Sequence, residues 1–364
     1  MIHTGDCLEV LRGMEDESIN CVVTSPPYWG LRDYGVEGQL GLEATPEEYL
    51  SKMVAVFREV RRVLRSDGTC WVNMGDSYAN DGKWGGATGG KHAGALHGDT
   101  GIGRTKQNTG LKPKDLAGIP WRLALALQAD GWWLRSDIIW SKKNPMPESV
   151  TDRPTKSHEY IFLLTKSAQY WYDADAVRED AAYGYSETVG DMYSSIGGAH
   201  GQSVTTRGEG GSRNRRSVWT IATQAFPDAH FATFPEALVE PCIKAGCPHK
   251  ACAECGAPWV RVVEKTITNR ADGGKGENND RNDGGKACNA DRQVTTLGFR
   301  PTCDCDADTH PGTVLDPFFG SGTVGLVATK LDRKWVGIEL NEEYAEMARK
   351  RIGEAMPLFA GATV

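Results

Sequence analysis

Cys21-Val22-Val23-Thr24-Ser25-Pro26-Pro27-Tyr28-Trp29 reads as a short apolar strand that runs into a stiff turn. Two consecutive prolines hold φ near one value and remove two backbone donors. Each also pushes the residue before it toward extended geometry. The turn therefore presents the Ser25 hydroxyl, carbonyl acceptors with few competing N–H groups, and the aromatic plate of Tyr28. Such a set suits a planar group with an exocyclic amine, because the acceptors take the amine hydrogens while the ring stacks. Alone, Ser-Pro-Pro-Tyr is equally a surface turn; its neighbours decide between the readings.

On the amino-terminal side, Ile2-His3 leads through Gly5-Asp6 into a helix opening at Cys7-Leu8-Glu9-Val10-Leu11. On the other side, Tyr49, Leu50, Met53, Val56, Phe57, Val60 and Leu64 recur at helical spacing between Thr45 and Arg65. Thr45-Pro46-Glu47-Glu48 is a helix start, with a capping hydroxyl and proline at the first helical position. Ser66-Asp67-Gly68 closes the helix, and Thr69–Met74 is the next strand. Strand, helix, strand and helix in alternation give an α/β fold with a mostly parallel sheet covered by helices. In such sheets ligands bind beyond the strands' carboxyl ends, where Ser25–Tyr28 sit.

A second stretch has the same form. Thr313-Val314-Leu315-Asp316-Pro317-Phe318-Phe319-Gly320-Ser321-Gly322-Thr323 is a strand, a glycine-rich turn and the start of a helix running from Val324 to Leu331. Glycines there let backbone N–H groups approach a ligand at a helix start. No lysine follows the second glycine, so this is not a nucleotide P-loop, and the spacing is not a dinucleotide fingerprint. Trp335–Leu340 is the following strand, and its Glu339, about 20 residues past the turn, is placed to hold a ribose diol.

Between these halves lie a helix from Pro120 to Ala129, a strand at Trp133–Trp140, a rigid polar turn at Lys142–Ser149 and a strand at His158–Leu164. His230–Pro235 opens a helix through Ile243. Two long irregular stretches interrupt the pattern. Tyr78–Gly110 is rich in glycine and turns basic in its second half. Residues 176–217 carry the densest basic cluster, Arg207, Arg213, Arg215 and Arg216. With Lys142 and Lys143 these are the candidate nucleic-acid contacts, since arginine among flexible polar residues suits phosphates and base edges. A solvated charged face remains the alternative.

At 364 residues, with 40% hydrophobic and 24% charged residues, the chain is ordinary globular protein. No apolar run approaches the roughly 18 residues of a membrane span. The amino terminus lacks a basic and apolar leader, so a cytoplasmic location is expected. The ten cysteines are then thiols or metal ligands rather than disulfides. A net charge of −7 argues mildly against an all-phosphate partner but leaves room for local basic patches.

With these motifs in this order, the chain resembles the β-group S-adenosylmethionine-dependent DNA amino-methyltransferases, over roughly residues 1–175 and 228–355. The resemblance implies a Rossmann-like methyltransferase fold with a mostly parallel seven-stranded sheet and circularly permuted motif order. It implies that Asp316, Phe318, Gly320, Ser321, Gly322 and Thr323, with Thr24 beside them, cradle the methionine part of S-adenosylmethionine. Glu339 would hold the ribose hydroxyls, Asp6 would lie near the adenine, and Phe231 and Pro235 would flank the cofactor. Ser25, Pro26, Pro27 and Tyr28 would receive a base flipped out of double-stranded DNA. The basic residues named above would be the DNA contacts. Serine at the first motif position leans toward N4 of cytosine, whereas aspartate or asparagine there leans toward N6 of adenine; cytosine is the expectation and adenine the alternative. A homodimer and a cognate restriction endonuclease are partners the family allows. A silent DNA-binding regulator on this fold and a methylase of RNA or of a protein amide stay open as other classes.

Cys252-Ala253-Glu254-Cys255-Gly256 is a C-x-x-C turn followed by glycine, answered by Cys303-Asp304-Cys305. Four thiolates in two close pairs suit a closed tetrahedral zinc site, expected to pin a small ribbon near the DNA. The chain thus divides into residues 1–78 (catalytic half), 79–112 (basic insertion), 113–175 (core continued), 176–227 (target recognition), 228–246 (cofactor-flanking helix), 247–310 (cysteine-rich insertion) and 311–364 (cofactor-binding half).

Overall fold

The computed structural model describes residues 1–30, 35–79, 110–180, 186–188, 205–207, 212–224, 234–268 and 291–355. Its centre is one sheet. The strands are β1 (Ile2–Thr4), β2 (Ile19–Thr24), β3 (Leu64–Met74), β4 (Trp133–Lys142), β5 (His158–Thr165), β6 (Val218–Ile221), β7 (Thr313–Asp316) and β8 (Lys334–Glu339). They lie in the order β1-β8-β7-β2-β3-β5-β4-β6. Every neighbouring pair is parallel except β5, which is antiparallel to both β3 and β4.

Strict alternation along the central strands builds two cores. Val22, Cys70, Val72 and Leu315 face one side, and Cys21, Val23, Trp71 and Val314 face the other. The first face is covered by α1 (Cys7–Arg12), α2 (Pro46–Val63) and α3 (Ile119–Ala129), through Leu11, Tyr49, Met53, Phe57, Val60, Leu123 and Leu127. The second is covered by α4 (Glu236–Gly246) and α5 (Thr323–Lys330), through Leu238, Val239, Ile243, Val324 and Val327. The last helix, α6 (Glu342–Ala355), packs Ala348 and Ile352 with Phe319 and Leu326. Strands buried on both faces are what a doubly covered parallel sheet requires.

Helix α2 begins as its residues dictate: the Thr45 hydroxyl accepts from the Glu48 N–H at 3.2 Å, with Pro46 in the first turn. Glu47 and Glu48 open it and Arg61 and Arg62 close it, matching the helix dipole.

The sheet has eight strands where seven were expected. The extra one is β6, at the end of the stretch read as target recognition. Its Trp219 is buried and lies against Trp71, ring centroids 6.4 Å apart, so one large apolar residue draws this short segment onto the sheet edge. β3 also starts earlier than expected, at Leu64, with a register irregularity opposite Ile19–Cys21. Among the described residues, no helix is long and apolar enough to cross a membrane.

Candidate active site

The carboxyl ends of β1, β2, β3, β7 and β8 open into a cavity of about 770 Å³. Because β5 is antiparallel, its first residues, His158 and Glu159, reach the same cavity. One wall is the glycine turn with Glu339, and the other is Ser25–Tyr28.

On the glycine-turn side, Asp316 is fully buried. Its Oδ1 accepts the Thr24 hydroxyl at 2.6 Å and the Phe318 N–H at 3.0 Å. Its Oδ2 is buried without a partner. Burial pushes the carboxyl up to about 7. Glu339 accepts the Gly320 N–H on Oε2 at 2.7 Å and the Asn341 N–H on Oε1 at 2.9 Å, and burial raises its pKa. Two backbone donors fix that carboxylate, with lone pairs remaining for ligand hydroxyls. Gly322 caps α5 at φ 76°, and a Cβ there would lie 2.8 Å from that of Ala348, so both turn and packing require glycine. Asp6 caps α1, its Oδ1 accepting from the N–H groups of Leu8 and Glu9, and lines the cavity. Ser321 and Thr323 line it too; Arg351 donates to both hydroxyls at 3.1 and 3.0 Å. Pro235 precedes α4 as its cap, and its neighbour Phe234 lines the cavity. Phe231 lies outside the described residues.

The opposite wall is a hydrogen-bonded cluster. The Tyr28 hydroxyl donates to Glu159 Oε2 at 2.7 Å, and Asn73 Nδ2 donates to the same oxygen at 3.2 Å. Asn73 Nδ2 also reaches the Tyr160 carbonyl at 3.1 Å, while Oδ1 accepts the Ser25 hydroxyl at 3.4 Å. Lys142 pairs with Glu159 Oε1. Burial, then the Glu159 charge, holds the Tyr28 phenol well above its usual range. The Pro27 carbonyl is taken by the Tyr49 hydroxyl at 2.8 Å, which leaves Pro26 as the proline carbonyl to consider as an acceptor. Lys156 also lines the cavity; its Nζ is buried without a partner, and burial lowers its pKa.

Sequence reading does not single out Asn73 or Lys156. The available signal is position: Asn73 is a buried amide in the apolar run of β3, and polar groups inside apolar strands need partners. Among the basic residues, Lys142 belongs to the cavity cluster, and its ammonium lies 4.8 Å from the Trp140 ring centroid. Arg213 pairs with Glu179 at 2.9 Å, and the Arg215 guanidinium lies over Trp219. Arg216 and Lys143 are exposed. Arg207 ends the short strand Thr205–Arg207; its side chain lies outside what is described.

Cys252, Cys255, Cys303 and Cys305 converge, with all four sulfurs within 4.8 Å of one another. They do not lie beside the cavity. Arg65, at the start of β3, donates to the Cys255 carbonyl at 3.4 Å, whereas Asn73 at the cavity is eight residues further along that strand, on the order of 25 Å away. The ribbon thus lies away from the cavity: the strand pair Ala251–Cys252 and Thr309–His310 precedes β7 and holds it at the amino-terminal end of the sheet.

A family model described as DNA methylase, of the N6/N4 type, matches residues 19–251 and 307–350. The type II methyltransferase M.Cfr9I of Citrobacter freundii is 42% identical over 355 residues, covering 96% of this chain and 87% of the relative. The type II methyltransferase M.SmaI of Serratia marcescens is 41% identical over 351 residues, covering 96% and 90%. Two solved structures share the fold. The cytosine-N4-specific PvuII DNA methyltransferase has a TM-score of 0.53 at 16% identity, over 98% of this chain and 91% of that one. A putative DNA modification methylase of Thermus thermophilus, TTHA0409, solved with S-adenosyl-L-methionine, has a TM-score of 0.50 at 19% identity, over 98% and 96%. With the glycine turn and Ser25–Tyr28 facing one cavity, and with identity to its relatives above 40% over nearly its whole length, the chain belongs to the N6/N4 DNA methylase family, and it is a DNA methyltransferase.

Proposed function

We propose that the chain transfers a methyl group from S-adenosylmethionine to the exocyclic N4 amine of cytosine in duplex DNA, as the modification partner of a restriction endonuclease. What supports the base choice is the resemblance, in which serine at the first motif position leans toward cytosine N4; that serine, Ser25, lies in the cavity wall. Its hydroxyl proton is directed to Asn73 Oδ1, so its oxygen lone pairs are free to accept from an amine. The cytosine-N4-specific PvuII enzyme shares the fold, and the relatives M.Cfr9I and M.SmaI are named type II methyltransferases.

The residues of the glycine turn fit the cofactor. The orphaned Asp316 Oδ2 is a buried acceptor suited to the ammonium of the methionine part. Glu339, fixed by two N–H groups, suits the ribose hydroxyls, and Asp6, which lines the same cavity, would lie near the adenine. When bound, S-adenosylmethionine supplies a methyl group on a sulfonium, a neutral thioether being the leaving group. An exocyclic amine is a poor nucleophile because its lone pair is delocalised into the ring. Ser25 Oγ and the Pro26 carbonyl would accept its two hydrogens and favour a tetrahedral nitrogen, freeing the lone pair for in-line attack. The N–C bond forms as the C–S bond breaks, and the surplus amine proton passes to water. Tyr28, its hydroxyl held by Glu159, offers a fixed ring for the flipped base to stack on. Positioning is the chief contribution.

The test is mass spectrometry of nucleosides from DNA of cells expressing the chain, with chromatography that separates N4-methylcytosine from 5-methylcytosine. N4-methylcytosine that disappears with Ser25→Ala and Asp316→Ala is the expected result. N6-methyladenine would overturn the base assignment and keep the mechanism.

A further inference from the structure

The match to the DNA methylase family model stops at residue 251 and resumes at 307. The interval contains the four converging cysteines and a long antiparallel hairpin, Val260–Thr268 with Asp291–Arg300. This is an insertion on the shared fold, and the methyl-transfer chemistry makes no use of it.

The two thiol pairs are held side by side by the backbone. Cys252 pairs with Thr309 in the short ladder, the Ala253 N–H donates to the Asp308 carbonyl at 2.8 Å, and the Cys252 N–H donates to the Ala257 carbonyl at 2.9 Å. Between the first two cysteines the chain makes a tight turn: the Gly256 N–H returns to the Cys252 carbonyl at 2.9 Å, with Gly256 at φ 69°. A Cβ at Gly256 would lie 2.3 Å from Arg65 Nη1, so the turn sits directly on the start of β3. The hairpin leaves after Cys255 and returns before Cys303, so the cluster closes its base. Further out, Arg261 pairs with the buried Asp173 at 2.8 Å, and Lys265 approaches Asp175 at 3.8 Å.

We propose that Cys252, Cys255, Cys303 and Cys305 bind one zinc ion as four thiolates, and that this ion staples the base of the hairpin to the amino-terminal end of the sheet. Sulfurs within 4.8 Å of one another need only small rotamer changes to surround an ion at about 2.3 Å from each. Four sulfur ligands favour a thiophilic metal. All four positions come from the protein, so no site is open to water or substrate and the role is structural. None of the four is in a disulfide.

Elemental analysis of the full-length protein, purified without chelator or metal-affinity resin, tests this. One zinc per chain is expected, released by a mercurial thiol reagent. Cobalt exchanged into the site should give the visible and thiolate charge-transfer bands of a tetrahedral sulfur site. Cys303→Ser/Cys305→Ser should lower zinc to below about a tenth per chain and open the turn at residues 252–258 to proteolysis. Cys242→Ala, a buried thiol elsewhere, should keep the zinc. A protein free of zinc after growth and purification with added zinc overturns the proposal. So does iron in its place, or full zinc in the double variant. These readouts are independent of the nucleoside assay, so each reading can fail alone.

Discussion

The Tyr28 hydroxyl donates to Glu159 Oε2 at 2.7 Å, joining residues 131 positions apart, and Lys142 balances the same carboxylate from its other oxygen. Glu159 and Lys142 are mostly buried, their side chains 14% and 22% exposed. A half-removed buried pair is worse than none, because the remaining charge keeps its desolvation cost. Lys142→Met should therefore destabilise the protein by about 2 kcal/mol, and Lys142→Met/Glu159→Gln should recover at least half of that. Urea unfolding of the two single variants and the double variant measures the coupling. Tyr28→Phe keeps the ring and loses the tether, so it should lower kcat by about tenfold and leave cofactor affinity unchanged.

Asp316 gives a pH dependence with a defined sign. Burial raises its carboxyl from 3.8 to about 7. The folded protein therefore holds that proton more tightly than the unfolded chain. Free protein loses this contribution to stability as pH rises from the usual carboxylate range through about 7. With Asp316 facing the cofactor's ammonium, as proposed above, cofactor binding would run the other way, because an ammonium is best met by an ionised carboxylate. Affinity for S-adenosylmethionine should fall by about tenfold per pH unit below 7, and Asp316→Asn should bind weakly with a flat profile. Calorimetric titration between pH 5.5 and about 8 distinguishes the two.

Periodicity reveals the scaffold of this site, but not all of its chemistry. The apolar run Cys21–Val23, the capped α2 and the glycine turn before α5 are local signals, and the structure places each near its expected bounds. The Ser25–Asn73–Glu159–Tyr28 cluster is different in kind. It joins β2, β3 and β5 through an antiparallel strand, and no spacing along one chain segment encodes a meeting of three strands. The eighth strand escapes for a related reason: β6 is four residues long, and its place on the sheet depends on Trp219 finding Trp71. The cysteine spacing announces a cluster, but its end of the sheet follows only from the ladder that precedes β7.

Gly75 leaves the space that the Tyr28 ring fills. A Cβ there would lie 2.6 Å from Tyr28 Cε2 and 3.3 Å from the Glu159 carboxyl carbon. Its φ lies outside the left-handed region, so alanine meets only the steric barrier. Gly75→Ala should push the ring from its tether and lower kcat by roughly 10- to 100-fold, with cofactor binding retained, since a displacement near 1 Å is enough for such a loss. Single-turnover methylation beside cofactor titration separates this from unfolding. A variant with normal turnover would show that the ring position is not critical.

The basic residues should not contribute equally to DNA affinity. Arg213 is committed to Glu179 at 2.9 Å, Arg215 lies over Trp219, and Lys142 is held by Glu159. Arg216 is exposed just before the start of β6, and Lys143 is exposed at the other end, where the turn after β4 meets the end of β6. There the Thr223 N–H donates to Asn144 Oδ1 at 2.9 Å and locks the two segments together. A phosphate met by an exposed cation releases counterions, whereas one already paired has less to offer. Arg216→Ala and Lys143→Ala should each reduce the slope of log affinity against log salt by about 1, with cofactor affinity unchanged. Arg213→Ala should leave the slope near its original value and act through the fold, lowering the melting temperature. The comparison requires duplexes that bind at several salt concentrations. Equal slopes for wild type, Arg216→Ala and Lys143→Ala would place the phosphate contacts elsewhere on the surface.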